Sequence, residues 1–302
     1  MNIYSPKEIS VVLGAAGFSF KKQFGQNFLI NEAIPERIAE AAAASDPFAR
    51  GCVEIGPGIG SLTLKLSDKF ENVVAVEIDE KLQSILPVVM GERTNIEIVF
   101  GDATKLDLNK LASEKMKGKK ISVCANLPYS ITSELIMHIL ETNDRYFGND
   151  MFFDSITLMI QKEAAQRLCA KPGAPEYGAI TASASYYAVM KKLFDVNPGN
   201  FMPQPKVVST VISIKPNHVR PVNPLSVSLL FEVIRASFAQ RRKTLSNSLR
   251  SYFLDRYSKE SLSASLEFSH IDGKRRGETL SLDEMCAVAD AFCVHGMTEM
   301  NL

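Results

Sequence analysis

Short apolar segments alternate with segments of helical spacing over most of the chain, and this alternation restricts the possible folds more than any other feature. The apolar segments have the length of buried strands and occupy residues 53–55, 73–78, 96–100, 121–125, 155–160, 193–196 and 208–214. Strands that alternate with helices form a mainly parallel sheet with helices on both faces. We therefore predict an α/β fold whose sheet has seven strands, followed after residue 215 by a smaller domain of helices only.

A loop with glycine at alternate positions follows the first apolar segment. Gly56, Gly58 and Gly60 lie between this segment and a helical pattern, and glycine lets the main chain bend sharply and approach a ligand closely. The loop differs from the dinucleotide-binding fingerprint, because that motif needs a third glycine where this chain has Ser61. The loop by itself is therefore weak evidence for a nucleotide site.

Acidic residues end the next two apolar segments. Glu77 lies 21 residues beyond Gly56, a spacing at which a carboxylate reaches a ribose diol in open α/β folds. Asp102 follows the third segment. Because the carboxyl ends of parallel strands meet at one edge of a sheet, both acids should border the same crevice as the glycine loop. For either acid alone, a solvated loop residue is the alternative interpretation.

The fourth apolar segment ends in Asn126-Leu127-Pro128-Tyr129, the most specific feature of the sequence. The Asn126 side-chain oxygen and a carbonyl of this turn can accept hydrogen bonds from an exocyclic amine, and the Tyr129 ring can stack on the attached base. These groups together would hold an adenine by its amino group. Asn and Pro also favour ordinary turns, so the motif alone leaves that alternative open. Its position after the glycine loop and two acids favours a ligand site.

With these motifs the sequence resembles the ribosomal RNA adenine N6-dimethyltransferases, the KsgA/RsmA group, which use S-adenosylmethionine. The resemblance extends from about Phe18 to Met285, nearly the whole chain. Further matching blocks are Lys22–Leu29, Gln161–Leu168, Tyr177-Gly178, Phe201–Ser209 and Arg241–Leu249. One departure is Gln23-Phe24, where many members have Ser-Leu, although the Gly25, Gln26 and Asn27 that follow match.

The resemblance implies a Rossmann-like, class I S-adenosylmethionine-dependent methyltransferase sheet and a role for each matching position. The implied contacts to S-adenosyl-L-methionine, which becomes S-adenosyl-L-homocysteine, come from Asn27, Leu29, Gly56, Gly58, Glu77, Ile78, Asp102, Ala103 and Asn126. The implied catalytic residues around the target adenine are Asn126, Leu127, Pro128, Tyr129 and Phe201, with Phe201 as a second aromatic wall. The chemistry requires no metal, and we expect no metal site.

Charge is unevenly distributed, although the chain has no formal net charge. Residues 200–276 contain 13 basic and 5 acidic side chains, whereas residues 1–199 contain 21 basic and 24 acidic ones. Arg241, Arg242 and Lys243 belong to the basic stretch, where we predict a phosphate-binding surface for RNA. The alternative is that Arg241 and Arg242 cap the helix ending at Phe238 and pair with nearby acids.

The predicted organisation has three parts: a leader over the cofactor site (1–30), the methyltransferase domain (31–215) and a helical RNA-binding domain (216–302). The leader is polar, contains glycine, and is poorly patterned except near Phe18 and Phe28. The chain lacks a run of 18 apolar residues and an opening signal sequence, so we expect a cytoplasmic protein that does not enter a membrane. The five cysteines form no C-x-x-C pair and are expected to be small apolar core residues.

For function, the resemblance implies N6,N6-dimethylation of two adjacent adenines in a hairpin loop near the 3′ end of small-subunit (16S) ribosomal RNA. The implied partner is this RNA within a pre-30S particle, the enzyme is expected to be a monomer, and a role in small-subunit biogenesis follows. Three alternatives stay open: an Erm-like methyltransferase of 23S ribosomal RNA, an N6-adenine DNA methyltransferase, and a non-catalytic assembly factor with the same fold.

Overall fold

The computed structural model describes residues 2–15 and 27–299. The stretch from Lys22 to Gln26, which belongs to the leader motif and contains the Gln23-Phe24 departure, lies outside these residues, as does Phe18. The chain divides into two compact units. The first unit comprises Met1–Ala165 with Val189–His218, and the second comprises Gln166–Ala188 with Val219–Leu302. Residues 166–188 thus group with the second unit, whereas the sequence interpretation placed them in the methyltransferase domain.

The first unit is built on a seven-stranded sheet, which confirms the predicted fold class. The strands of the chain are β1 (Phe28–Leu29), β2 (Gly51–Ile55), β3 (Asn72–Glu77), β4 (Ile96–Phe100), β5 (Ile121–Asn126), β6 (Ser155–Gln161), β7 (Ala188–Val196), β8 (Phe201–Met202) and β9 (Ser209–Pro216). The sheet order is β4-β3-β2-β5-β6-β9-β7, and β1 pairs separately with β8. Strands β2 to β6 run parallel, and β9 is antiparallel to β6.

The helices that precede or alternate with the strands are α1 (Pro6–Ala15), α2 (Ala33–Ser45), α3 (Ser61–Lys69), α4 (Leu86–Met90), α5 (Leu108–Lys115), α6 (Thr132–Asp144) and α7 (Lys162–Leu168). The description of the leader as poorly patterned is wrong for α1. Ile9 and Leu13 have the i, i+4 spacing of one helix face, and both are buried in an apolar cluster with Leu82 and Leu86. Pro6 occupies the first helical position, where the missing N–H costs nothing.

The strand order reverses between β2 and β5, and this reversal determines where a ligand can bind. The two strands are parallel neighbours, with Ile55 opposite Ala125, so the glycine loop and Asn126 emerge side by side. In open α/β sheets the crevice outside the carboxyl ends of the strands at such a reversal is the usual ligand site. The sheet topology therefore brings together motifs that lie about 70 residues apart in sequence.

The second unit is helical, as predicted. Its helices are α8 (Ala179–Tyr187), α9 (Val227–Phe238), α10 (Leu245–Phe253), α11 (Lys259–Phe268) and α12 (Leu282–Glu299). Met285, Ala289 and Phe292 of α12 are fully buried in the core of this unit, so the acidic final helix packs intramolecularly. Helix α8 ends at Tyr187, because the main chain from Ala188 onward joins the sheet as β7, which begins before the predicted segment 193–196. None of the described helices is both long and apolar enough to cross a membrane.

Candidate active site

A pocket opens in the first unit at the carboxyl ends of β2, β3 and β5. Its lining residues come from the segment around β1, the end of β2 and its glycine loop, the end of β3, and the turn after β5. They are Asn27, Phe28, Leu29, Glu54, Gly56, Pro57, Gly58, Ile59, Ser61, Leu62, Glu77, Ile78, Asn126, Leu127, Pro128 and Tyr129. The structure thus brings together most of the predicted cofactor-binding residues and the whole predicted catalytic turn.

The glycine loop forms one wall of the pocket. Gly56 and Gly58 have φ angles of +70° and +56°, in the left-handed region that side-chain-bearing residues rarely adopt. A Cβ atom on Gly56 would meet no atom within 4 Å, whereas one on Gly58 would lie 3.0 Å from the Phe28 ring. The loop therefore needs glycine for its conformation, and Gly56 leaves open space beside the main chain.

Glu77 holds the glycine loop from the neighbouring strand. Its carboxylate is buried, with Oε2 accepting a hydrogen bond from the Gly58 N–H at 3.1 Å and Oε1 accepting one from the Asp79 N–H at 2.8 Å. Burial raises the pKa of Glu77, and the hydrogen bonds from the Asp79 and Gly58 amides oppose that rise. A carboxylate oxygen can accept more than one hydrogen bond, so Glu77 keeps acceptor capacity toward the pocket.

Glu54 is a second pocket carboxyl group, which the sequence interpretation did not include among the site residues. It lies within β2 and is only 1% exposed. Burial raises the pKa of Glu54 to about 8, the nearby Thr63 side chain opposes the rise, and the nearby Glu77 adds to it. No described residue hydrogen bonds to its Oε2. An acidic residue inside an apolar strand, two positions before a glycine loop, was the signal in the sequence.

The turn after β5 presents a defined set of polar groups. The Asn126 Nδ2 atom donates a hydrogen bond to the main-chain carbonyl of Asn27 at 3.2 Å. The Pro128 carbonyl accepts hydrogen bonds from the Thr132 hydroxyl at 3.0 Å and from the Ile131 N–H at 3.4 Å. The Asn126 oxygen is thereby left as the acceptor end of its amide, and the Pro128 carbonyl is engaged by the start of α6.

Tyr129 completes the turn and is half-buried. Its hydroxyl lies 2.7 Å from the Ser209 hydroxyl, which belongs to β9. Burial raises the pKa of Tyr129, and the hydrogen bond with Ser209 opposes the rise. The phenol is therefore protonated at neutral pH and can serve as an aromatic wall of the pocket.

Three of the predicted cofactor-binding and catalytic residues do not line the pocket. Asp102 and Ala103 follow β4, and the Asp102 carboxylate accepts hydrogen bonds from the Thr104 hydroxyl at 2.6 Å and the Thr104 N–H at 3.0 Å. These bonds, the hydroxyl first, hold the pKa of Asp102 below its usual range. Phe201 is buried in the apolar cluster around Leu29, its partner in the β1–β8 pair. Their predicted contacts to cofactor and base stay predictions.

The predicted RNA-binding residues differ in their environment within the second unit. The Arg241 guanidinium donates hydrogen bonds to the Pro175 carbonyl at 3.0 Å and the Tyr177 carbonyl at 3.4 Å. Arg242 and Lys243 are exposed, and Lys243 borders a shallow groove on α10 together with Arg250. Arg241 is also exposed and in addition bonds the loop before α8, and the predicted contacts of all three cations with RNA stay predictions.

The chain matches a known protein family and its members along nearly its whole length. The family described as Ribosomal RNA adenine dimethylase matches residues 17–292. The chain is 38% identical over 291 residues to ribosomal RNA small subunit methyltransferase A of Oceanobacillus iheyensis, covering 96% of each protein. It is 40% identical over 288 residues to the protein of the same name from Alkaliphilus oremlandii, covering 95% of this chain and 97% of the relative.

The fold is also similar to solved structures. A dimethyladenosine transferase from Plasmodium falciparum superposes with a TM-score of 0.72 and 23% identity, covering 89% of this chain and 98% of that one. The 23S rRNA methyltransferase ErmE superposes with a TM-score of 0.64 and 21% identity, covering 88% of this chain and 99% of that one. At these identities the likeness concerns the fold. The family match and the near-full-length identity to the two relatives show that this chain belongs to the ribosomal RNA adenine dimethylase family of methyltransferases.

Proposed function

We propose that this chain transfers methyl groups from S-adenosylmethionine to the N6 atoms of two adjacent adenines, in a hairpin loop near the 3′ end of small-subunit (16S) ribosomal RNA. One observation carries the proposal: the Asn126–Tyr129 turn shares a single pocket with the glycine loop, Glu54 and Glu77. An amine-accepting, base-stacking turn therefore lies beside groups suited to a nucleoside with a charged tail. The names of the full-length relatives support the small subunit as the source of the RNA.

The pocket residues fit S-adenosylmethionine as the methyl donor. Glu54 has a buried oxygen for which no described residue supplies a donor, and the ammonium group of the donor's methionine part would satisfy it. Gly56 leaves open space beside the main chain, and Glu77 can accept hydrogen bonds from ribose hydroxyls. When bound, S-adenosylmethionine supplies an electrophilic methyl group on a sulfonium centre.

The residues of the turn would hold and orient the target amine. Adenine N6 is a poor nucleophile because its lone pair is delocalised into the ring. Two acceptors of hydrogen bonds from its N–H groups would favour a more pyramidal nitrogen, and the Asn126 oxygen is the first of these acceptors. Because the Pro128 carbonyl is engaged by α6, we assign the second bond to the Leu127 carbonyl. Tyr129 would stack on the target base once that base has been flipped out of the RNA.

Positioning and fixed dipoles would supply most of the rate enhancement. The methylated amine is cationic and strongly acidic, so its proton can leave to solvent after transfer. No side chain of the pocket is therefore assigned as a general base. The enzyme is proposed to act as a monomer. Arg241, Arg242 and Lys243 are exposed cations suited to RNA phosphates. The proposed partner is a pre-30S particle, and the proposed setting is small-subunit biogenesis.

Mass mapping of methylated adenines tests the proposal. Ribosomal RNA from cells with and without this gene would be digested, and dimethyladenine would be located in both subunits. We expect loss of two neighbouring dimethyladenines from 16S RNA, and their return when purified protein and S-adenosylmethionine are added to the deficient small-subunit particles. A loss confined to 23S RNA, methylation of DNA only, or unchanged RNA would each contradict the proposal.

A further inference from the structure

The Tyr129 hydroxyl is tied to a residue far from it in sequence. Ser209, 80 positions away, places its hydroxyl oxygen 2.7 Å from the phenol oxygen. Ser209 is fully buried and begins β9, where it is paired with Gln161 of β6. The anchor of the phenol is therefore part of the central sheet, which is among the most rigid parts of a protein of this kind.

This tie has two physical consequences for the Tyr129 ring. A phenol bonded at its far end cannot swing about its side-chain torsions, so the ring is oriented before any base arrives and less ordering remains for binding. The hydroxyl is also engaged by Ser209, and we assign the ring face as the surface that contacts the base. Stacking on that face does not distinguish adenine from N6-methyladenine.

We propose that Ser209 is a positioning residue, which fixes the Tyr129 ring for stacking on the target base and commits its hydroxyl to the sheet. This inference rests on the proposed function of the pocket. Under this proposal the phenol hydroxyl does not contact the base. Ser209 affects methylation of the RNA but not binding of the methyl donor.

A double-mutant cycle with Ser209→Ala and Tyr129→Phe tests this assignment. Each single variant removes the same hydrogen bond, so each should lower kcat/KM for small-subunit particles by about 3- to 10-fold. The double variant should be no worse than either single variant. The dissociation constant for S-adenosylmethionine, measured by calorimetry, should be unchanged in all three.

Ser122→Ala is a matched control. Ser122 is another fully buried serine of the sheet, at the amino end of β5, and its hydroxyl has no hydrogen-bond partner among the described residues. The same atom is removed from the same kind of site without touching Tyr129. We expect wild-type kcat/KM from this variant. A loss equal to that of Ser209→Ala would mean that any buried sheet serine matters, and would overturn the proposal.

Other outcomes are equally decisive. A loss in Tyr129→Phe but not in Ser209→Ala would mean that the hydroxyl contacts the base, and a loss in Ser209→Ala alone would mean that Ser209 acts only on the sheet. Additive losses would contradict a shared bond. Fluorine NMR of protein labelled with fluorotyrosine adds a readout without RNA: the Tyr129 signal, assigned by its absence from Tyr129→Phe, should shift in Ser209→Ala. Inactivity of the wild type on particles would instead contradict the proposed function, and the NMR result would still report on the hydrogen bond between Tyr129 and Ser209.

Discussion

The side-chain amide of Asn126 donates a hydrogen bond to the main-chain carbonyl of Asn27, with Nδ2 and the carbonyl oxygen 3.2 Å apart. The two residues are 99 positions apart, and Asn27 immediately precedes β1. Because the nitrogen of the amide is committed to this bond, its oxygen is the end that can accept from a ligand amine. The segment before β1 therefore sets the orientation of the Asn126 amide in the catalytic turn.

Asn126→Ala should lower the rate of methyl transfer by on the order of 100-fold or more, because one oriented polar contact to the reacting group is lost. Binding of S-adenosylmethionine should weaken only modestly, since Glu54, Gly56 and Glu77 also line the pocket. Single-turnover kinetics and calorimetry measure the two effects separately. A rate within about threefold of the wild type would contradict the role assigned to Asn126.

Glu77→Ala should raise the dissociation constant for S-adenosylmethionine by roughly 10-fold, if charge-assisted hydrogen bonds to the ribose are lost. The change also leaves the Gly58 and Asp79 amides without their acceptor, which loosens the glycine loop. RNA affinity should hardly change. Glu80→Ala, at an exposed acid three residues further along, is the control and should bind the donor normally. Unaltered donor binding by Glu77→Ala would show that this acid has only a structural role.

Gly56→Ala should weaken donor binding, because its methyl group would project into the open space of the pocket. Gly118→Ala is a matched control, since Gly118 has the same φ of +70° and the same absence of atoms within 4 Å of a Cβ. Both variants should lose about 1 to 2 kcal/mol of stability from the left-handed backbone. Equal donor affinity in the two variants, measured by calorimetry, would mean that Gly56 does not border the bound donor.

Glu54 should make the stability of the free protein depend on pH. Its pKa is raised from an ordinary 4.5 to about 8, so the folded protein holds a proton that the unfolded chain releases above pH 4.5. The contribution of this proton to the free energy of unfolding is complete below pH 4.5. It declines by about 1.4 kcal/mol per pH unit as pH rises and is lost above pH 8.

Urea unfolding at pH 5, 7 and 9 checks this prediction. Glu54→Gln cannot ionise, so its stability relative to the wild type should improve as pH rises from 5 to 8 and then level off. Glu141→Gln, at an exposed acid of α6, should show the wild-type pH dependence. Parallel pH curves for the wild type and Glu54→Gln would show that Glu54 is ionised in the folded protein.

Reversing Arg242 and Lys243 to Glu should impair methylation of small-subunit particles while leaving donor binding intact. If both cations contact phosphates, the salt dependence of log affinity should also become shallower by between about 1 and 2. Lys110→Glu with Lys117→Glu makes the same charge change at exposed positions on and after α5, and should behave as the wild type. Arg241 is kept intact, because its bonds to the Pro175 and Tyr177 carbonyls serve the fold. Normal methylation across a salt series would contradict the phosphate-binding role.

The sheet could be predicted from the sequence because its strands are short apolar segments bounded by turn residues, and these are local signals. α1 was missed because its apolar face is carried by few residues, so tertiary packing of Ile9 and Leu13 identifies it. Glu54 was missed because its strand is otherwise apolar, and the charge state of one acid depends on how deeply the sheet buries it. Asp102 and Phe201 were assigned to the site from the sequence, and their contacts to cofactor and base stay predictions. The sequence does not show that the Asp102 carboxylate accepts a hydrogen bond from Thr104 or that Phe201 is buried in an apolar cluster.

The sequence by itself determined the α/β class and the order in which the glycine loop, Glu77, Asp102 and Asn126 arrive at the ends of successive strands. It could do so because side-chain periodicity and turn chemistry act between residues close in sequence. The tertiary structure alone decided which atoms of those groups are available. The Asn126 nitrogen is taken by Asn27 and the Tyr129 hydroxyl by Ser209, while the Glu54 oxygen has no partner among the described residues. Hydrogen bonds depend on distances of a few ångströms between residues 80 to 99 positions apart, and only the folded chain sets those distances.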